Sequence, residues 1–138
     1  MEQVRFIDLT TPNEAWAYIG HGNGVVGLAV FNNWDRVGPS DRKEIEIVMK
    51  LDDAKAVVEA LRTAIESAPP AMREVAAITF ADASTGEATS IVVRHDASSV
   101  DLVLCNEDDG EVRVAMTRED ARAVQKALET AVGALGAS

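Results

Sequence analysis

Cysteine and aromatic residues are both scarce in this chain of 138 residues. The single cysteine, Cys105, excludes a disulfide within the chain and is typical of a reducing compartment. With only two Trp, one Tyr and three Phe, the hydrophobic core has to be built mainly from Val, Ile, Leu and Ala. Apolar residues nevertheless make up 47% of the chain, which is ordinary for a folded globular protein.

Basic residues are outnumbered, with 13 Lys and Arg against 23 Asp and Glu and a net charge of −10. Phosphate backbones and anionic membranes attract basic surfaces, so this charge disfavours nucleic acid and membrane as partners. No apolar run approaches the ~18–20 residues of a membrane span, and the first residues do not form a signal peptide. We therefore expect a soluble, cytoplasmic protein.

Sequence motifs of catalysis and cofactor binding are missing as well. No Gly-x-Ser-x-Gly, Cys-x-x-Cys or His-Glu-x-x-His string occurs in the chain. The glycine-rich segment 20–24 does not end in the Lys-Ser/Thr of a phosphate-binding loop, and it joins two strand patterns. The acidic segment 106–111 lacks carboxylates at the first and twelfth ligand positions of a calcium loop. We expect no catalytic residue, no metal and no cofactor, and hence no enzyme.

One sequence unit occurs twice in the chain. Residues 4–33 align without a gap on residues 78–107, and residues 44–65 align on residues 111–132. Identical residues occupy 17 of the 52 aligned positions, and both histidines of the chain are among them. The sequence therefore predicts a tandem duplication.

The two repeats, residues 4–68 and 76–135, are joined by a linker at about Pro69-Pro70. Each repeat shows four segments of alternating apolar residues followed by one amphipathic segment. We predict an α+β fold with two ββββα units related by a pseudo-two-fold axis. The eight antiparallel strands form either two four-stranded sheets or one joined sheet, with two helices, in a single domain 1–138.

Turn residues predict the strand registers of two hairpins. Asn23-Gly24 favours a two-residue loop that places His21 opposite Val26. Asp108-Asp109-Gly110 favours a three-residue loop with a left-handed glycine, which places Leu104 opposite Val114.

The predicted helices have sequence signals at their ends. Thr117 begins a capping-box pattern at the start of the second helix, and we expect this helix to fray from about Gly133.

Aromatic residues outside the predicted core are the first candidates for a binding site. Trp34, Asp35 and Arg36 lie in a segment that has seven more residues in the first repeat than in the second, and Trp beside Arg is typical of interface hot spots. Trp16 and Tyr18 share the outward face of the second strand. These five residues are a predicted partner surface; alternatively, Trp34 is a lid over the sheet, and Trp16 and Tyr18 pack beneath its loop.

The two histidines and two aspartates at equivalent positions are the second set of candidates. His21, His95, Asp8 and Asp82 all have inward parity and form a possible ligand site in a cleft between the repeats. The alternative is a pair of half-buried histidines inherited with the turn. A first hairpin that opposes Asp8 to Ala17 places His21 about 13 Å further along the strand, so a His–Asp dyad is expected, if at all, only between repeats.

The order of four strands and one helix, twice, is similar to that of the whirly-type single-stranded DNA-binding proteins. The segment 43–47 leading into Leu51 and Ala54 resembles their last strand and helix. This resemblance implies nucleic-acid binding, although basic residues are few on every predicted strand.

The preferred prediction is a non-catalytic module that binds another protein, as a monomer or homodimer. The alternatives are a whirly-like nucleic-acid-binding protein, an acidic mimic of DNA, and a small-molecule binder that uses the cleft between the repeats.

Overall fold

Two antiparallel four-stranded sheets, each followed by a helix, make up the computed structural model. It describes residues 2–9, 13–33, 42–66, 73–95, 98–107 and 110–136. The first sheet has the order β1 (Glu2–Asp8), β2 (Asn13–Gly22), β3 (Val25–Asn33), β4 (Arg42–Lys50), followed by α1 (Leu51–Glu66). The second has the order β5 (Arg73–Ala81), β6 (Ala88–His95), β7 (Val100–Asn106), β8 (Gly110–Met116), followed by α2 (Arg118–Gly136). The predicted duplication of a ββββα unit is confirmed, with two sheets rather than one.

The alternating apolar residues form the buried face of each sheet. In β3, Val26, Leu28 and Val30 are fully buried, whereas the residues between them are partly exposed. The predicted inward residues of both sheets and the apolar stripes of both helices join in one hydrophobic core that spans the two repeats. Burial of each aliphatic side chain stabilises the fold by roughly 1.5–3 kcal/mol, so this shared core is the main source of stability.

Each helix covers the sheet of the other repeat. Helix α1 packs mainly on β5 and β6, α2 packs mainly on β2 and β1, and the helices pack on each other. Neither repeat therefore buries the inward face of its sheet with its own helix alone. The sequence did not predict this exchange, because an apolar stripe shows that a helix face is buried and not which sheet covers it.

Charged and polar side chains join the two helices. The Arg62 guanidinium donates to the Glu129 carboxylate, and Gln125 donates to the same carboxylate at 2.8 Å. The Arg118 guanidinium donates to the carbonyl oxygens of Ala64 and Ile65 at 3.1 and 2.5 Å. Since α1 has no basic residue in its own last turn, Arg118 supplies the cation that its carbonyl end favours.

The register of the β2–β3 hairpin is as predicted, whereas that of the β7–β8 hairpin is wrong by two residues. Asn23 and Gly24 have φ of 54° and 79°, and His21 lies opposite Val26 as predicted. In the second sheet Leu104 lies opposite Val112 instead of Val114. Gly110 has the expected left-handed φ of 74° but already pairs with Asn106 as the first residue of β8. A shift of two residues keeps every inward residue inward, so alternation alone does not distinguish the two registers.

The helix ends agree with the prediction at one terminus and not at the other. The Asp120 amide donates to the Thr117 hydroxyl oxygen at 3.1 Å, which confirms the predicted cap. Helix α2 continues to Gly136, so the predicted fraying from Gly133 is wrong. Leu135 packs against the hydrophobic core and gives the last turn a tertiary contact.

Two further features concern the chain as a whole. The linker Pro69-Pro70 lies outside the described residues. Neither of the described helices combines the length and apolar character that crossing a bilayer requires.

Candidate functional site

Three aromatic side chains lie together on the outer face of the first sheet. Trp16 of β2 lies opposite Phe31 of β3, and Tyr18 is the next outward residue along β2. The rings of Trp16 and Phe31 pack edge to face, with centroids 5.5 Å apart and an interplanar angle of 62°. Such a pair contributes about 0.5–1.5 kcal/mol beyond its buried area, which holds the rings in place. We call Trp16, Tyr18 and Phe31 the aromatic face.

The aromatic face forms the floor of a shallow depression with an acidic rim. The depression has a volume of about 430 Å³ and is lined by the three rings and Glu44. Glu44 lies opposite Phe31, and the exposed Glu46 follows it on the same side of β4. Within the described part of the chain, neither of these two carboxylates forms an ion pair.

A basic residue beside the aromatic face is already paired. Arg5 of β1 lies opposite Trp16, and its guanidinium donates to the Glu14 carboxylate at 2.7 Å. Both side chains of this pair are largely exposed, at 64% and 45%. The described surroundings of the aromatic face are therefore two carboxylates without an ion pair and one arginine that is already paired.

The second sheet has the same backbone arrangement without the aromatic rings. Ser90 and Cys105 face each other across β6 and β7 as Trp16 and Phe31 do across β2 and β3. The position equivalent to Tyr18 is Val92. A depression of about 350 Å³ is present here too, but its lining consists of small and polar residues: Thr79, Ala88, Thr89, Ser90, Cys105, Asn106 and Glu107.

Asp8 and Asp82 join the two repeats through hydrogen bonds to backbone amides. The Asp8 carboxylate accepts a hydrogen bond from the Ala115 amide of β8 at 3.1 Å, and the Leu9 amide donates to the Ala115 carbonyl at 2.9 Å. At the equivalent place the Asp82 carboxylate accepts from the Val48 amide of β4 at 3.1 Å. These bonds cover part of the free edges of β4 and β8, which are the last strands of their sheets.

Asp82 also organises the turn that follows β5. Its second oxygen accepts hydrogen bonds from the Ser84 hydroxyl, the Ser84 amide and the Thr85 amide at 2.7, 2.8 and 3.2 Å. Burial raises the pKa of Asp82, but the hydrogen bonds from Ser84, Val48 and Thr85 outweigh it, so the pKa is lowered overall. The carboxylate is thus held ionised as a structural acceptor.

The histidines occupy equivalent positions in different environments. His21 lies opposite Val26 and is exposed, whereas His95 lies opposite Val100 and is buried, with 3% of its surface accessible. The inward parity predicted for the pair therefore leads to burial only in the second repeat.

Asp8 and His21 lie far apart within the first sheet. Asp8 lies opposite Asn13 and not Ala17, because the first hairpin turns earlier than predicted. Since His21 is eight residues beyond Asn13 in β2, it lies about 26 Å away at strand rise.

Asp82 meets the first sheet at β4, two strands away from β2 and His21. Val48, which binds Asp82, is two strands from Gly20, the neighbour of His21, and that is about 10 Å. In the second sheet, Ala115, which binds Asp8, is likewise two strands from Arg94, the neighbour of His95.

A polar cavity does lie at the junction of the repeats, but without histidine. Its volume is about 300 Å³, and its lining residues are Glu46, Val48, Asp82, Ser84, Thr85, Glu87 and Asn106. Both oxygens of Asp82 are already engaged with the chain itself. No group of three or more His, Cys, Asp or Glu with metal-binding geometry occurs among the described residues.

Of the predicted partner surface, only Trp16 and Tyr18 belong to the part of the chain that the structure describes. Trp34, Asp35 and Arg36 lie outside the described residues. Phe31 is a member of the site that was not predicted from the sequence. Its signal was available, because Phe31 has outward parity and aligns with Cys105 of the second repeat.

No protein-family model, no curated protein and no solved structure matches this chain. None of these comparisons supports the resemblance to whirly-type proteins that the order of strands and helices and segment 43–47 suggest.

Proposed function

We propose that the protein is a non-catalytic module that binds another protein through the aromatic face. The observation that supports this proposal is the difference between two equivalent sheet faces. The second sheet forms with Ser90, Val92 and Cys105 where the first has Trp16, Tyr18 and Phe31. Since the shared fold does not require aromatic residues at these positions, their presence in one repeat points to a separate role.

The physical properties of the aromatic face suit protein recognition. Trp and Tyr are enriched among the residues that dominate binding energy in protein interfaces. The rings are half-buried and partly fixed by the contact between Trp16 and Phe31, so they lose little conformational freedom when a partner covers them. A partner would remove the remaining apolar surface from water, which favours association.

Nucleic acid fits the same face less well. Bases stack on aromatic side chains of sheets, but such sites combine stacking with a basic groove for the phosphates. Here Glu44 and Glu46 border the rings, and the adjacent Arg5 is paired with Glu14. The net charge of −10 adds repulsion at longer range.

Site-specific photo-crosslinking in the native host tests the proposal. p-Benzoylphenylalanine replaces Tyr18 in one protein and Val92, its equivalent in the second sheet, in a matched control. We expect a discrete protein adduct from position 18 and none from position 92. The Trp16→Ser substitution, which copies Ser90, is expected to remove the adduct because it takes away the largest ring of the face.

Three results would contradict the proposal. The same adducts from positions 18 and 92 would show nonspecific contact, and an adduct that survives Trp16→Ser would exclude the rings as the binding surface. An adduct of position 18 that is digested by nuclease would favour the whirly-like alternative instead.

A further inference from the structure

We infer that the partner presents an arginine side chain to the aromatic face, with its guanidinium between the rings and the carboxylates of Glu44 and Glu46. This inference rests on the proposed function and specifies the chemistry of the partner. Three observations support it: the aromatic floor, the carboxylates at its rim that form no ion pair within the described residues, and the second sheet, which has the equivalent of Glu44 without the rings.

The aromatic floor provides the first part of a cation site. Trp is the aromatic residue that attracts a cation most strongly, and Tyr and Phe also do so when the cation lies within about 6 Å of the ring centre. Trp16, Tyr18 and Phe31 line one depression of about 430 Å³, so a single side chain that enters it contacts more than one ring.

Glu44 provides the second part, because it lines the same depression as the rings. Neither it nor Glu46 has a cationic partner in the described part of the chain. By contrast, the positive charge of Arg5 is balanced by Glu14. The depression thus offers negative charge that no ion pair within the described residues neutralises.

The second sheet keeps the carboxylate equivalent to Glu44, as Glu111, but has none of the rings. Arg113 stands where the first sheet has Glu46, and Arg94 stands where it has Gly20. Arg113 donates to the buried Asp101 at 3.0 Å, so on that face an arginine of the chain itself pairs with a carboxylate. Of the two described sheet faces, the first is therefore the one on which a guanidinium meets a carboxylate beside aromatic rings.

Arginine fits this arrangement better than lysine. The guanidinium is planar and weakly hydrated, so it stacks on aromatic rings while its N–H groups donate to a carboxylate. A lysine ammonium is a compact and strongly hydrated charge that gains less from the rings. Charge-assisted hydrogen bonds of this kind contribute enough that losing one weakens binding about tenfold.

Titration with short peptides, followed by NMR, tests the arginine assignment. The probes are acetyl-Gly-Ser-Arg-Gly-Ser-amide and the same peptide with citrulline, the uncharged isostere of arginine, or with lysine. We expect the arginine peptide to shift the Trp16 indole signal and to bind about tenfold more tightly than the citrulline peptide, with lysine between them. Glu44→Gln is expected to lower the affinity for the arginine peptide about tenfold. Glu111→Gln, at the equivalent position of the second sheet, is expected to leave that affinity unchanged.

Equal binding of the arginine and citrulline peptides, or no effect of Glu44→Gln, would overturn the assignment. The crosslink from position 18 separates this failure from failure of the proposed function. If that crosslink is lost in Trp16→Ser but undiminished in the Glu44→Gln/Glu46→Gln variant, the binding face stands and the arginine assignment is wrong. If position 18 captures no protein at all, the proposed function fails and the arginine assignment fails with it.

Discussion

At the scale of single residues, Asp8 and Asp82 have the clearest structural role. Each carboxylate accepts a hydrogen bond from a backbone amide in the last strand of the other repeat. Asp8 accepts from Ala115, and Asp82 accepts from Val48. An edge strand with free amides and carbonyls is a site for unwanted strand pairing, and these bonds occupy part of that edge. Identity at both positions after duplication therefore has a structural explanation that needs no ligand.

Removal of the Asp82 carboxylate is expected to destabilise the protein in a pH-dependent way. Asp82→Ala leaves the amides of Val48, Ser84 and Thr85 without their acceptor, which we expect to cost about 2–3 kcal/mol at pH 7. Because hydrogen bonds hold the pKa of Asp82 below its ordinary 3.8, the ionised group stabilises the fold above that pH. This stabilisation is lost as pH falls through the pKa of the folded state.

Urea unfolding of wild type and Asp82→Ala at pH 7 and at pH 3 measures this effect. The difference in unfolding free energy between the two proteins should shrink at pH 3. Ser84→Ala, which removes one hydroxyl donor and leaves the carboxylate, serves as the control and should cost about 1 kcal/mol. A difference that is the same at both pH values would contradict the role assigned to the ionised carboxylate.

At the scale of elements, the exchanged helices are held together by complementary charges. Arg62 and Glu129 are equivalent residues of the two repeats, and so are Glu59 and Lys126, with opposite charges in each case. The first pair meets between α1 and α2. Two identical helices would bring like charges together at the corresponding place, so the divergence favours pairing of one repeat with the other within the chain.

A double-mutant cycle on Arg62 and Glu129 tests this contact. We expect Arg62→Gln and Glu129→Gln each to lower the melting temperature, and the double variant to lose less than both losses combined, because the second substitution removes an unpaired charge. Glu129→Gln also breaks the bond from Gln125, and Glu59→Gln, which removes a pair within α1, is the control for a local effect. The coupling should weaken at high salt. Additive losses at low salt would show that the pair does not contribute to helix contact.

At the scale of the whole molecule, the sequence predicted local features and left the assembly open. The buried alternation of Val26, Leu28 and Val30 and the Asn23-Gly24 turn were readable because their side-chain period and backbone conformation are local properties. The register of the last hairpin was predicted two residues away from the observed one, because both registers keep the same side chains facing inward.

The binding face was predicted in part for the same physical reason. Outward parity identified Trp16 and Tyr18, and Phe31 follows from the register that brings β3 beside β2. The exchange of helices and the bonds of Asp8 and Asp82 depend on contacts between repeats, which no local pattern specifies. The aspartates were consequently interpreted as ligand residues although they act between strands.

Urea unfolding of the Trp16→Ser/Tyr18→Val variant, which copies Ser90 and Val92 of the second sheet, tests whether the aromatic face exists for binding rather than for folding. Because both side chains are half-buried on an outer sheet face, we expect a loss of at most about 2 kcal/mol with an unchanged denaturant slope. A loss above about 4 kcal/mol, as for a large side chain removed from a core, would show that the rings are structural and would contradict the proposed function.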